Sequence, residues 1–142
     1  MTTIAWDGKT LAADKRSTSA GLARTVTKIF RHEGKLLGIS GSFDYGMQVV
    51  EWFKAGAEPE KFPACQLDKD DWSTLVVIDA SGVGVYERGP FLLRNEDPSW
   101  ATGSGRDYAM AAMHCGKSAA EAVAVAAAFD VGTGNGIDTL EL

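Results

Sequence analysis

Histidine and cysteine are scarce in this chain of 142 residues, which has two of each: His32 and His114, Cys65 and Cys115. They stand far apart, with neither the Cys-x-x-Cys nor the His-x-x-x-His spacing that zinc takes, so no metal and no cofactor is expected. Two cysteines also make no disulfide framework and read as reduced thiols of a cytosolic compartment. Lys and Arg number 14 against 19 Asp and Glu, a formal charge of -5. That leaves no basic face for a phosphate backbone and argues against nucleic acid as a partner. No stretch approaches the roughly 20 apolar residues of a membrane span. The opening Met-Thr-Thr-Ile-Ala-Trp-Asp-Gly lacks the basic start and apolar run of a signal peptide. The chain is therefore expected to avoid the membrane and to stay in the cytoplasm, where it is made.

What remains is ordinary globular usage, 45% hydrophobic and 23% charged, which argues against disorder. The length suits a single domain, residues 1–142, able to bury roughly two-thirds of its unfolded surface. No internal repeat and no linker interrupts it.

Hydrophobic patterning gives an order of elements. Thr3 to Trp6 alternates toward Asp7-Gly8, and Lys9 to Asp14 resumes beyond it. Asp-Gly between two apolar segments predicts a hairpin with a type I′ turn, whose central residues both need positive φ. That hairpin sets Thr2 and Asp14 at the same end of adjacent strands. Thr25 to Arg31 is rich in β-branched residues, His32 to Lys35 reads as a turn around Gly34, and Leu36 to Ser40 is a third apolar run, predicting a second hairpin. The period then changes. Phe43, Met47, Val50 and Phe53 are spaced as one face of a helix that stops near Gly56.

Ala57 to Trp72 holds two prolines and the charged patch Asp68, Lys69, Asp70 and Asp71, and reads as a loop with at most a short helical turn. Thr74 to Asp79, Val83 to Glu87 and Phe91 to Arg94 are strand candidates, the first two joined through Ala80-Ser81-Gly82. Arg106 opens a helix that ends at Gly116. Ser118 to Glu121 is a capping box for an alanine-rich helix reaching about Phe129, and Ile137 to Leu142 is a last short strand. Two groups of strands, each followed by helices, predict an α+β sandwich of two packed sheets covered by helices.

The chemistry starts at the second residue. Removal of Met1, which a small Thr2 permits, leaves a hydroxyl and a free α-amine on one residue: a nucleophile carrying its own base. An α-amine has an ordinary pKa of about 7.7–8.0, within reach of neutral pH, where a lysine near 10.4 stays protonated. With Met1 retained, that nitrogen is an amide and no longer serves. Lys28, flanked by apolar strand residues, would favour a deprotonated hydroxyl, and Asp14 would orient the lysine; equally, both are surface charges. Gly41 offers an open backbone N–H to an oxyanion or is a turn glycine. Ser104, just before a helix, is a cap, a proton donor to the Thr2 amine, or both.

The ordered set of motifs resembles a proteasome β-type subunit, an N-terminal nucleophile (Ntn) hydrolase of the group that includes HslV. The matching segments are Thr-Thr-Ile at 2–4, Leu-Ala-Ala-Asp-Lys-Arg-Ser-Thr at 11–18, Val-Thr-Lys-Ile at 26–29, Leu-Leu-Gly-Ile-Ser-Gly-Ser at 36–42, Thr-Gly-Ser-Gly at 102–105 and Phe-Asp-Val-Gly-Thr-Gly at 129–134. They follow the family's order over nearly the whole chain. The resemblance implies an αββα four-layer sandwich of two mainly antiparallel sheets and a threonine endopeptidase.

It implies Thr2 as nucleophile and base, Asp14 and Lys28 tuning it, Gly41 as oxyanion donor with Gly38 the competing candidate, and Ser104, Asp130 and Thr133 supporting the amine. Thr18 would lie on the strand that pairs with an extended substrate backbone. Polypeptide substrates, homo-oligomeric stacked rings and an ATP-dependent unfoldase are the partners it implies. The chain is shorter than typical members, with the loss expected between Gly56 and Trp72.

Other motifs fail. Gly116-Lys117-Ser118 resembles the end of a P-loop, but Ala111 stands where its first glycine belongs and the lysine follows a helix. Gly132-x-Gly134-x-Gly136 has no helix after it to make a dinucleotide site. Trp6, Trp52, Trp72 and Trp100 read as core or interface residues. Two rival functions remain: a structural or regulatory proteasome-like subunit without turnover, and an Ntn amidohydrolase of small amides.

Overall fold

The computed structural model describes residues 1–65 and 72–142. The charged patch at 68–71 lies outside the described residues.

Two antiparallel sheets stack face to face between helices, the αββα sandwich that the resemblance implied. In the first sheet β1 (Thr3–Trp6) lies between β2 (Thr10–Asp14) and β10 (Trp100–Gly103), and β11 (Ile137–Glu141) closes the far side of β2. The second sheet runs in order β5 (Ile29–His32), β6 (Lys35–Gly41), β7 (Ser73–Asp79), β8 (Gly82–Tyr86) and β9 (Leu93–Arg94). A separate hairpin of β3 (Arg16–Ser19) and β4 (Leu22–Thr25) stands off both sheets.

Strand period 2 sorts the side chains into layers. Ile4, Trp6, Leu11 and Ala13 face Leu36, Val76, Ile78, Val83 and Val85 across the gap between the sheets. The alternate residues Leu37, Ile39, Leu75 and Val77 face α1 (Phe43–Lys54). On the opposite outer face, Ala5 and Ala12 pack under α2 (Arg106–His114) and α3 (Ala119–Phe129). Alanines on both sides of that layer let two helices lie close to the sheet. The Ser118 capping box that starts α3 is present in both directions, and Gly116, at φ +91°, follows the end of α2.

Several sequence expectations change. The first hairpin forms, but Asp7 pairs with Thr10 and the central turn residues are Gly8 and Lys9, with positive φ at Gly8 and not at Asp7. The turn is of the glycine-first kind and not type I′. The Asp7 carboxylate instead accepts the N–H groups of Lys9 and Thr10 at 2.9 and 2.8 Å and that of Ala119 at 2.8 Å, tying the turn to the start of α3.

The β-branched run from Thr25 to Arg31 does not make one strand. Thr25 closes β4, and Val26 to Lys28 crosses between layers before β5 begins at Ile29. The β3–β4 hairpin was not expected; its turn residues Ala20 and Gly21 both have positive φ. β10 was likewise unexpected, and the strand expected at Phe91–Arg94 is confined to Leu93–Arg94. On α1 the buried residues are Tyr45, Gly46, Val49, Val50 and Trp52, whereas Phe43, placed on the apolar face by spacing, is 63% exposed. Phe43 is the first residue of the helix and points into a cavity instead of onto the sheet.

Candidate active site

Thr2 sits at the start of β1, where the sandwich opens at one end. Register carries Asp14 to it: Ile4 opposes Ala13 and Thr3 opposes Gly103, so the next residue of β2 and the loop after β10 flank Thr2 and Thr3. Gly103 has φ +95°, and a Cβ there would run into the Thr2 carbonyl. Only glycine lets β10 end this close to the strand that carries Thr2.

Asp14 is 1% exposed, and its carboxylate accepts four hydrogen bonds. Lys28 Nζ at 2.7 Å and Thr3 N–H at 3.0 Å reach Oδ1, while Gly134 N–H at 3.0 Å and Arg16 N–H at 3.2 Å reach Oδ2. A buried carboxylate with all its lone pairs engaged is held in one orientation, and it fixes the lysine in turn. Lys28, 6% exposed, is held below the ordinary lysine pKa by burial, an effect that the hydrogen bond and charge of Asp14 only partly offset. Its Nζ also lies 3.5 Å from the Met1 carbonyl oxygen.

On the other side of Thr2 a chain of polar contacts leads to the loop after α3. Thr2 N–H donates to Ser104 Oγ at 3.3 Å, and Ser104 Oγ donates to Asp130 Oδ2 at 2.6 Å. Thr133 Oγ1 donates to the same carboxylate oxygen at 2.6 Å. Since that proton is spent on Asp130, the 2.7 Å contact between Thr133 Oγ1 and Thr3 Oγ1 must be donated by Thr3. Partial burial pushes Asp130 up, but the hydrogen bonds from Ser104, Thr133 and Gly132 outweigh it and hold its pKa below the ordinary carboxylate value. Ser104 is not a cap: the residue at the start of α2 is Gly105, without a side-chain cap bond.

A cavity of about 340 Å³ opens beside Thr2. Thr18 of β3, Lys28, Gly41 and the apolar Val26, Ile39 and Phe43 line it. Gly41 ends β6 at φ +112°, and a Cβ there would stand 2.5 Å from the Trp72 carbonyl oxygen. Gly38 lies elsewhere. It is paired between Ile29 and Val76, and its missing side chain makes room for Val76, Ile29 and Ile4 in the inter-sheet core.

The structure thus gathers Thr2, Asp14, Lys28, Ser104, Asp130 and Thr133 into one bonded network, with Gly41 and Thr18 on the wall of the adjoining cavity. Thr3, Arg16 and Gly134 belong to it as well and were missed. Thr3 was overlooked beside Thr2, and Arg16 and Gly134 act here through backbone N–H groups that every residue but proline has. Arg16 adds side-chain bonds to Asn135 Oδ1 at 2.9 Å and to the Val131 carbonyl at 2.8 Å, which brace the loop that carries Thr133. Thr2 is 4% exposed, and its hydroxyl donates to the Met1 carbonyl at 2.6 Å.

Layer order and antiparallel sheets define an Ntn-hydrolase fold. No family model and no curated protein matches the chain. Among solved structures it is similar to BPH of Thiobacillus denitrificans in complex with epoxomicin, with a TM-score of 0.73 and 16% identity over 99% of this chain and 97% of that one. It is similar to HslV from Trypanosoma brucei at a TM-score of 0.71 and 19% identity, covering 99% of both chains. A further structure of BPH from T. denitrificans gives 0.72 and 19% over 99% of this chain and 96% of that one. Those alignments run nearly end to end and do not register the expected shortening. No described helix is long and apolar enough to cross a membrane.

Proposed function

We propose that the chain, as one Ntn-hydrolase domain of residues 1–142, is a threonine endopeptidase that uses Thr2 once the residue before it is removed. The observation that carries this reading is the position of the Thr2 nitrogen, 3.3 Å from a serine hydroxyl that is itself bound to Asp130, opposite the buried Asp14–Lys28 pair. A free amine there would inherit an acceptor arranged for its protons, and the Lys28 cation, which approaches the same Met1 carbonyl oxygen as the hydroxyl, would favour the hydroxyl's ionised form.

Thr2 Oγ would attack the carbonyl carbon of the scissile amide while the Thr2 amine takes the hydroxyl proton. The Gly41 N–H is the proposed donor to the oxyanion, a contribution of about 3–4 kcal/mol where such donors have been removed. Collapse breaks the C–N bond, the amine returns its proton to the leaving nitrogen, and an ester remains on Thr2. Water, deprotonated by the same amine, adds to the ester carbon; the C–O bond to Thr2 breaks, the amine returns the proton to Thr2 Oγ, and the acid leaves. Thr18, on an exposed stretch of β3 beside the cavity, would pair with the extended substrate backbone.

Assembly into homo-oligomeric rings in the cytoplasm belongs to the same proposal, with an ATP-dependent unfoldase as the partner that feeds it. Exposed Tyr108 and Phe129, stacked 5.6 Å apart, and the neighbouring Val131 are apolar surface of the kind such contacts cover. The Thr2→Ala protein, shown to be folded, is expected to lose peptide cleavage; undiminished cleavage refutes the mechanism.

A further inference from the structure

A second cavity, of about 570 Å³, lies on the far side of Gly41, between the free edge of β10 and the adjacent end of β7. Gly41 and Gly103 both line it. Gly41 also lines the cavity beside Thr2, and Gly103 abuts the Thr2 carbonyl, so the two spaces meet at the proposed oxyanion donor. A peptide drawn across Gly41 with its acyl side in the first cavity would send its leaving side toward the second.

The walls of this second space have a chemistry of their own. Trp72 and Trp100, each half-buried against the hydrophobic cores, line it, and among the described residues Glu87 is the acid of the lining. Arg106, the base of the lining, is drawn to the Gly103 carbonyl at 3.1 Å and lies 3.7 Å from Asp107 Oδ1. The Trp72 ring already carries a cation, Arg88, 4.4 Å from its centre. Indole faces hold the stem and charge of a lysine or arginine side chain, and a carboxylate holds its head. A carboxylate on the substrate would instead meet Glu87, with Arg106 already drawn to the Gly103 carbonyl and to Asp107.

We propose that this cavity is a leaving-side subsite that selects a basic side chain carboxy-terminal to the scissile bond. The proposal rests on the hydrolase reading above for its function but not for its binding.

The test uses the mature protein and peptides identical on the acyl side that carry Lys, Ala or Glu as the first leaving-side residue. kcat/KM for Lys is expected to exceed that for Glu by roughly fivefold or more, and Glu87→Gln is expected to bring that ratio to within about twofold. Equal rates for Lys and Glu in the parent protein, or an unchanged ratio in a folded Glu87→Gln protein, overturn the subsite. A fluorogenic amide without a leaving-side residue reports the hydrolase reading separately, and its survival intact defeats that reading alone. Binding of uncleaved Lys and Glu peptides, followed by tryptophan emission, then still decides the cavity: tighter binding of Lys supports it and equal binding overturns it.

Discussion

Lys28 Nζ lies 2.7 Å from Asp14 Oδ1 in a place where neither side chain is more than 7% exposed. Desolvating two charges is costly, and breaking such a pair by removing one partner costs about 3–5 kcal/mol because the other is left buried and unpaired. Lys28→Met and Asp14→Asn are each expected to lower stability by about that much. In urea titrations the double variant should fall short of the sum by roughly 1–3 kcal/mol. Additive losses would mean that the pair is not coupled.

Gly41→Ala introduces a side chain at φ +112° against the Trp72 carbonyl. Strain of this kind costs about 1–3 kcal/mol, and relief of it moves the very N–H assigned to the oxyanion. The variant is expected to lose kcat more than KM and to melt earlier. A variant that matches the parent in both removes Gly41 from the mechanism.

Asp130 contributes to stability in a pH-dependent way. Its folded pKa lies below the ordinary value, so the unfolded state binds the proton first as pH falls. The stabilisation is complete above the ordinary Asp range near pH 4 and disappears as pH drops through the folded pKa. The stability gap between the parent and Asp130→Asn should be flat from about pH 5 to 7 and close below about pH 4. A gap that persists into acid would show that the Ser104 and Thr133 hydroxyls do not favour the ionised form.

Thr3 is completely buried and donates to Thr133 Oγ1 at 2.7 Å. Thr3→Val keeps the shape and removes the donor, for an expected loss of about 1–2 kcal/mol. Thr3→Ser should recover most of it. Equal denaturation midpoints for the valine variant and the parent would dismiss the contact as incidental.

The sandwich was legible because it rests on signals that survive without tertiary context. Alternation in Thr3–Trp6 and Thr10–Asp14, the Ser118 capping box and the 3.6 period after Ser42 each report a local choice that the fold keeps. The β3–β4 hairpin was illegible because all four residues of β4 are exposed and no buried face imposes a period. Val26 to Lys28 carried strand propensity into a crossing, where tertiary bonds decide: Val26 N–H goes to the Lys15 carbonyl and the Lys28 carbonyl accepts from Ile39. Ser104, Asp130 and Thr133 were grouped by resemblance, since no spacing joins residues 26 positions apart. The donors from Thr3, Arg16 and Gly134 to Asp14 leave no trace in side-chain identity, so only coordinates reveal them.

The central claim is that Thr2 attacks and its own amine takes the proton. Intact-mass and fragment analysis of the mature chain, after incubation with an electrophilic peptide β-lactone, tests it most directly. The account predicts a chain that begins at Thr2 and carries one acyl group on that residue, absent from Thr2→Ala. A chain that begins at Thr2 and takes no label there, or takes it only at Cys65 or Cys115, would contradict it.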